Sequence, residues 1–133
     1  MNTEIIGQVW DAAAGRRVDI IETFYGRFFE RYPQYKRHFP ETMDHQMEKM
    51  ADAISTLARC AEDPGVLHPH LLKIGRAHQA YGLNSTDLHN FKEVFVEAVA
   101  DACPDIWNPR CERAWNDAFN EVIIPAVEEG LRA

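Results

Sequence analysis

Apolar residues recur along this chain at spacings of three and four, the pattern of helices that bury one face. A first helix is predicted over residues 3–14, with Ile5, Ile6, Val9, Trp10 and Ala13 on one side. A second is predicted over 17–31, carrying Ile20, Ile21, Phe24, Tyr25, Phe28 and Phe29. Pro33 breaks it, a short helical turn covers 34–38, and Pro40 closes that turn. The stripe Met43, Met47, Met50, Ala51, Ile54, Leu57 and Ala58 marks a helix over 42–61.

Asp63-Pro64-Gly65 reads as its stop, and Pro69 as the first residue of the next helix, over 69–80, which Gly82 ends. Ser85, Thr86 and Asp87 offer caps for a helix over 85–102 that buries Phe91, Val94, Phe95, Val96, Ala98 and Val99. Asn108-Pro109 opens a last helix to residue 131, with a kink expected at Pro125. Strand alternation, internal repeats and low-complexity linkers are not seen. The expectation is one all-α domain over 1–133, built from about seven helices.

Composition narrows the class without naming a function. A chain of 133 residues suits one domain, and 46% hydrophobic residues suffice for a core. No apolar run approaches the ~18 residues of a membrane span. The start, Met1-Asn2-Thr3-Glu4, has neither a basic region nor an apolar core, which points to the cytoplasm. The three cysteines, Cys60, Cys103 and Cys111, form no motif, and their odd number argues against a disulfide framework. A net charge of −7 disfavours nucleic acid or an anionic membrane as main partner. Periodicity still leaves a four-helix metal protein or an interaction module open. No Glu-x-x-His pair has matching carboxylates on other helices, so a di-iron bundle lacks support.

His78 carries the most information. It follows an apolar helical stretch, as an axial haem ligand can. Around it runs Ile74-x-x-x-His78-x-x-Tyr81-Gly82-Leu83. Upstream stands Phe24-Tyr25-x-x-x-Phe29, and Phe39 lies fourteen residues after Tyr25. Near the C-terminus come Ala114-Trp115 and Ala118-Phe119. In this order and at these separations, the residues resemble the bacterial single-domain globins and the globin half of flavohaemoglobins. The resemblance covers residues 3–131.

It implies a globin fold around haem b (iron protoporphyrin IX), with His78 as proximal iron ligand and Phe39 stacked on the haem. Leu83 would touch the porphyrin edge. Ile74, Tyr81, Phe28, Phe91, Val94 and Met50 would contribute the surrounding walls. Tyr25 and Gln46 would face the bound gas and donate hydrogen bonds to it. The register of the distal helix has alternatives. With Gln46 at the gate, Met50 lies over the iron and Lys49 at the rim beside a haem propionate. With His45 there, Lys49 would point at the iron, and burying that charge is costly. His45 or Lys49 as a second iron ligand would give a six-coordinate haem. His38, beside Phe39, is read mainly as a surface residue near the haem edge.

The family's flavohaemoglobin branch adds a tyrosine and a glutamate behind the proximal histidine. Here the tyrosine's position falls at Leu88 and, without a gap, the glutamate's falls near Gly130, with Glu128 and Glu129 adjacent, which puts peroxidase-like chemistry in doubt. The expected ligands are O2, CO and NO. The expected function is tight O2 binding for storage or transport. The alternative is an NO dioxygenase that detoxifies NO with electrons from a separate reductase. Gas sensing is a third reading.

Overall fold

The computed structural model describes residues 3–133. Its α-helices are α1 (Glu4–Ala12), α2 (Arg17–Arg31), α3 (Asp44–Cys60), α4 (Pro64–Ala77), α5 (Ser85–Ala102), α6 (Pro109–Ala118) and α7 (Ile124–Arg132). Tighter 3-10 turns occupy Ala14–Arg16, Pro33–His38 and Gln79–Tyr81. No strand occurs among the described residues. The fold class is thus the all-α class that the spacing predicts.

The predicted stripes form the core. Trp10, Phe24, Phe95 and Trp115 are almost wholly buried, as are Ile6, Ile20, Leu71, Val94 and Val99. Each such side chain contributes about 1.5–3 kcal/mol of transfer free energy on burial. Aromatic rings run through the centre: Phe24 stacks on Phe28 at 5.0 Å, and Phe91 stacks on Phe95 at 5.8 Å. Trp10 fixes α1 to α3 by donating its indole N–H to Ser55 Oγ at 2.9 Å. On the outside, α2 is tied to α5 by Arg27 with Glu97 and Asp101, and by Arg31 with Glu93 and Glu97. The Arg31 guanidinium holds the Glu97 carboxyl below its ordinary range.

Both ends of α4 and the cap of α5 differ from the sequence reading. Helix α4 begins at Pro64, not Pro69, because the Asp63 carbonyl accepts the N–H groups of Val66 and Leu67 at 3.1 and 2.9 Å. Pro64 sits in the first turn, where its missing N–H costs nothing. Pro69 lies inside the helix, leaving the Gly65 carbonyl without its usual donor. The same helix stops at Ala77 and passes into a 3-10 turn, rather than running to Ala80. The cap of α5 is Asn84: its side chain accepts from Asp87 N, and the Asp87 carboxylate accepts from Asn84 N at 2.9 Å. Asp87 thus closes a capping box. The disturbance expected at Pro125 is a π-turn over Phe119–Ile123, where Ile124 N–H reaches back to Phe119 O.

The broadest helix contact is between α4 and α7. Two glycines make it possible. A Cβ on Gly75 would lie 2.8 Å from the Gly130 Cα and closer still to the Val127 carbonyl. A Cβ on Gly130 would meet the Gly75 Cα at 2.9 Å. Gln79 then donates to the Gly130 carbonyl at 3.0 Å and to the Ala133 carbonyl. The far end of α7 is thereby bound to the turn just after His78. Gly75→Ala is expected to destabilise the chain by about 1–3 kcal/mol, since the helices must separate to admit a methyl group. Urea denaturation of the two proteins measures this directly.

Candidate functional site

Helix α2 turns Tyr25 inward, so its side chain is 4% exposed. Its ring meets Phe39 edge-on at 5.6 Å, Phe29 at 5.7 Å and Phe24 at 5.0 Å. Burial pushes the phenol above its ordinary range, and a hydrogen bond from Gln46 opposes that rise. Gln46 Nε2 donates to the Tyr25 hydroxyl at 3.2 Å. The Tyr25 oxygen is the acceptor here, so its own hydrogen remains available for donation. The Gln46 amide keeps a second N–H as well.

The neighbours of Gln46 follow from helical geometry. Met43, Met47 and Met50 lie half-buried against the core on the same side of α3. His45 points away: its side chain is 84% exposed, with Nδ1 3.9 Å from Glu48. Lys49 is exposed.

His78 stands at the C-terminal cap of α4. Its Nδ1 lies 2.7 Å from the Ile74 carbonyl. A carbonyl only accepts, which assigns the hydrogen to Nδ1 and leaves a lone pair on Nε2. No protein group among the described residues bonds Nε2. The ring is exposed, and Tyr81 stands edge-on to it at 5.9 Å. Tyr81, expected in the pocket wall, is 43% exposed and lies 5.0 Å from His38. The corner bearing Phe39 and the turn after His78 therefore touch.

Phe39, Met50, Ile74, Leu88 and Phe91 pack on the core while retaining exposed surface. Leu83 is half-buried. Two expected wall residues stand deeper. Val94 has no exposed surface, and Phe28 is 6% exposed because it stacks on Tyr35 at 4.8 Å. Protein side chains already cover both, so they back the wall rather than line it. Sequence reading passed over Tyr35, which accepts from Asn90 at 3.1 Å and donates to Asp87. Only the spacing Asn84-x-x-Asp87 hinted that this corner is built.

The donor set fits a haem. One imidazole nitrogen is free and oriented, and apolar side chains of the corner, α3, α4 and α5 that the core leaves partly uncovered could line a haem. Tyr25 and Gln46 add a polar pair. Gly130 cannot take a larger side chain without parting α4 from α7.

Comparison with known proteins agrees with this architecture. The chain is 24% identical over 98% of its length to "Anaerobic nitrite reductase NSHB5" of Oryza sativa subsp. indica, covering 94% of that protein. It is 20% identical over 97% of its length to an anaerobic nitrite reductase of Gossypium hirsutum, covering 88% of it. It is 27% identical over 75% of its length to a flavohemoprotein of Xylella fastidiosa, covering 26% of that longer protein. The relatives are thus plant as well as bacterial, and the globin family model matches residues 22–125. With that match spanning the helices that carry Tyr25, Gln46 and His78, the chain belongs to the globin family.

Proposed function

We propose that this globin holds haem b through His78 and binds O2 tightly. The observation that carries the reading is the Tyr25–Gln46 pair, a buried phenol with its hydrogen unspent and an amide beside it. Haem supplies a ferrous centre able to take O2, CO or NO. The protein's residues do the rest. His78 Nε2 would hold the iron, with Ile74 fixing the ring plane. Phe39, Met50 and Phe91 exclude water. Lys49, exposed on α3, suits a propionate at the rim. Tyr25 and Gln46 each donate toward an electron-rich diatomic ligand. Each bond to a charged acceptor contributes about 1.5–3 kcal/mol. Two of them slow dissociation by about 100-fold or more, since 1.4 kcal/mol is tenfold.

Absorption spectra of the ferric, ferrous and CO forms test the haem reading. The expected ferric form binds water or hydroxide. A native low-spin spectrum that becomes high-spin in His45→Ala would instead make His45 an iron ligand.

A second reading is favoured by the similarity to a flavohemoprotein. It is NO dioxygenation, NO + O2 + e⁻ → NO3⁻, with the electron from a separate reductase. Tight O2 retention serves both readings. NO consumption with an added reductase and O2 distinguishes turnover from simple binding. Since the plant relatives are called nitrite reductases, an anaerobic arm with nitrite belongs in the same assay.

A further inference from the structure

In the haem reading, two segments would frame the open side of the pocket. The 3-10 turn Pro33–His38 delivers Phe39 to the Tyr25 side, and the stretch from His78 to the start of α5 delivers Leu83 on the other. Tyr35 sits in the middle of that turn and is 7% exposed. Its ring lies flat on Phe28 at 4.8 Å, with an interplanar angle of 5°. Its hydroxyl donates to Asp87 Oδ1 and accepts from Asn90 Nδ2 at 3.1 Å. The other Asp87 oxygen accepts from Asn84 N at 2.9 Å, so the carboxylate is held by the capping box while it receives the phenol. A buried hydroxyl pairs with a carboxylate at a helix N-terminus, where the helix dipole favours negative charge.

We propose that Tyr35 and Asp87 form a latch across the mouth of the pocket, closing the Phe39 turn onto the start of α5 and setting how fast haem enters and leaves. The latch rests on the haem reading above. Tyr35 is a positioning residue, since it acts through Phe39, whose ring packs on Tyr25 and on Phe29 at 5.2 Å. Once the bond to Asp87 breaks, the turn is held to α5 by the weaker neutral bond from Asn90 Nδ2 to the phenol, by ring packing and by the half-exposed His38–Tyr81 contact. The mouth then opens without disturbing His78 or the Tyr25–Gln46 pair.

The test is haem transfer from the ferric, haem-loaded chain to excess apomyoglobin. Tyr35→Phe keeps the stacked ring and removes one hydroxyl, so it should fold. It should speed transfer by about tenfold or more, since it removes the bond to the charged Asp87 and the neutral bond from Asn90. Asp87→Ala should also speed transfer, and the double variant should fall clearly short of the product of the two single effects, because both remove the shared Tyr35–Asp87 bond while each also loses one bond of its own, to Asn90 or to Asn84 N. Asp87→Asn, which keeps one oxygen for the cap but loses the charged acceptor of the phenol hydrogen, should give a transfer rate between that of the native protein and that of Asp87→Ala. The O2-to-CO ratio of off-rates should not move in Tyr35→Phe. In the haem-free chain, amide exchange over residues 33–39 should quicken in Tyr35→Phe while that of α5 beyond residue 94 is unchanged. Unchanged transfer in Tyr35→Phe, or additive effects in the double variant, would overturn the latch while leaving the haem reading intact. A wild-type chain that takes up no haem would overturn that reading, and the latch's role with it.

Discussion

His78→Ala is expected to lose haem during purification. The physical reason is that a single nitrogen on this side is oriented with a free lone pair. The Ile74 carbonyl occupies Nδ1 at 2.7 Å, and Nε2 has no competing partner among the described residues. Alanine removes the donor without crowding the site, because the imidazole is exposed rather than part of the core. The fold should therefore survive: far-ultraviolet circular dichroism stays helical while the haem absorption disappears. Added imidazole should restore part of it by filling the space left behind. Full haem retention with an unchanged ferrous-CO spectrum would mean that another residue holds the iron.

The second large effect is expected at Tyr25. Tyr25→Phe keeps the ring that packs among Phe24, Phe29 and Phe39, and so creates little cavity. It removes a hydrogen-bond donor, and the O2 off-rate should rise by about 10- to 100-fold. CO gathers less charge on binding, so its off-rate should change much less. Gln46→Leu should act in the same direction but more weakly, since Gln46 is half-buried and flexible. Burial raises the Tyr25 pKa, so the phenol stays protonated throughout the neutral range and up to at least the ordinary tyrosine value of about 10. The O2 off-rate of the native protein should accordingly be flat from pH 6 to about pH 9.5. The sign for stability is the same. A folded-state pKa raised above the unfolded one favours the fold below the unfolded value, and that benefit is lost as pH climbs above it. Stopped-flow O2 and CO dissociation from the three proteins measures the off-rates, and urea denaturation at about pH 8 and above measures the stability. Equal changes for both gases in Tyr25→Phe would show that access, not polarity, governs retention.

Much of this molecule was legible along the chain because burial is written locally. A helix repeats its inward face every three or four residues, so Ile5, Val9, Phe24, Phe28, Ile54 and Leu57 announce themselves without any partner being known. Asn108-Pro109 starts α6, and Gly82, at φ 66°, ends the turn after α4, for reasons confined to a few residues. The start of α4 was misread because Pro64 and Pro69 both satisfy the local rule for a first helical residue. Local chemistry could not choose between them. Packing of α4 on α7 rewards the longer helix enough to tolerate Pro69 inside it.

The pocket divides along the same line. In the sequence, His78, Tyr25 and Phe39 stand out through their resemblance to a globin, and the methionine stripe favours Gln46 over His45 as the residue turned inward. Only the tertiary structure puts Gln46 Nε2 3.2 Å from the Tyr25 hydroxyl, residues twenty-one positions apart on different helices. It alone decides that Gly75 and Gly130 must both be glycine, since each is the wall the other meets. It alone joins Tyr35 to Asp87 across fifty-two residues. Periodicity reports which face of an element is buried, because that depends on the element's own geometry. It cannot report which atom on another element comes within bonding distance, because that depends on how the helices cross, and the crossing is set by the whole core at once.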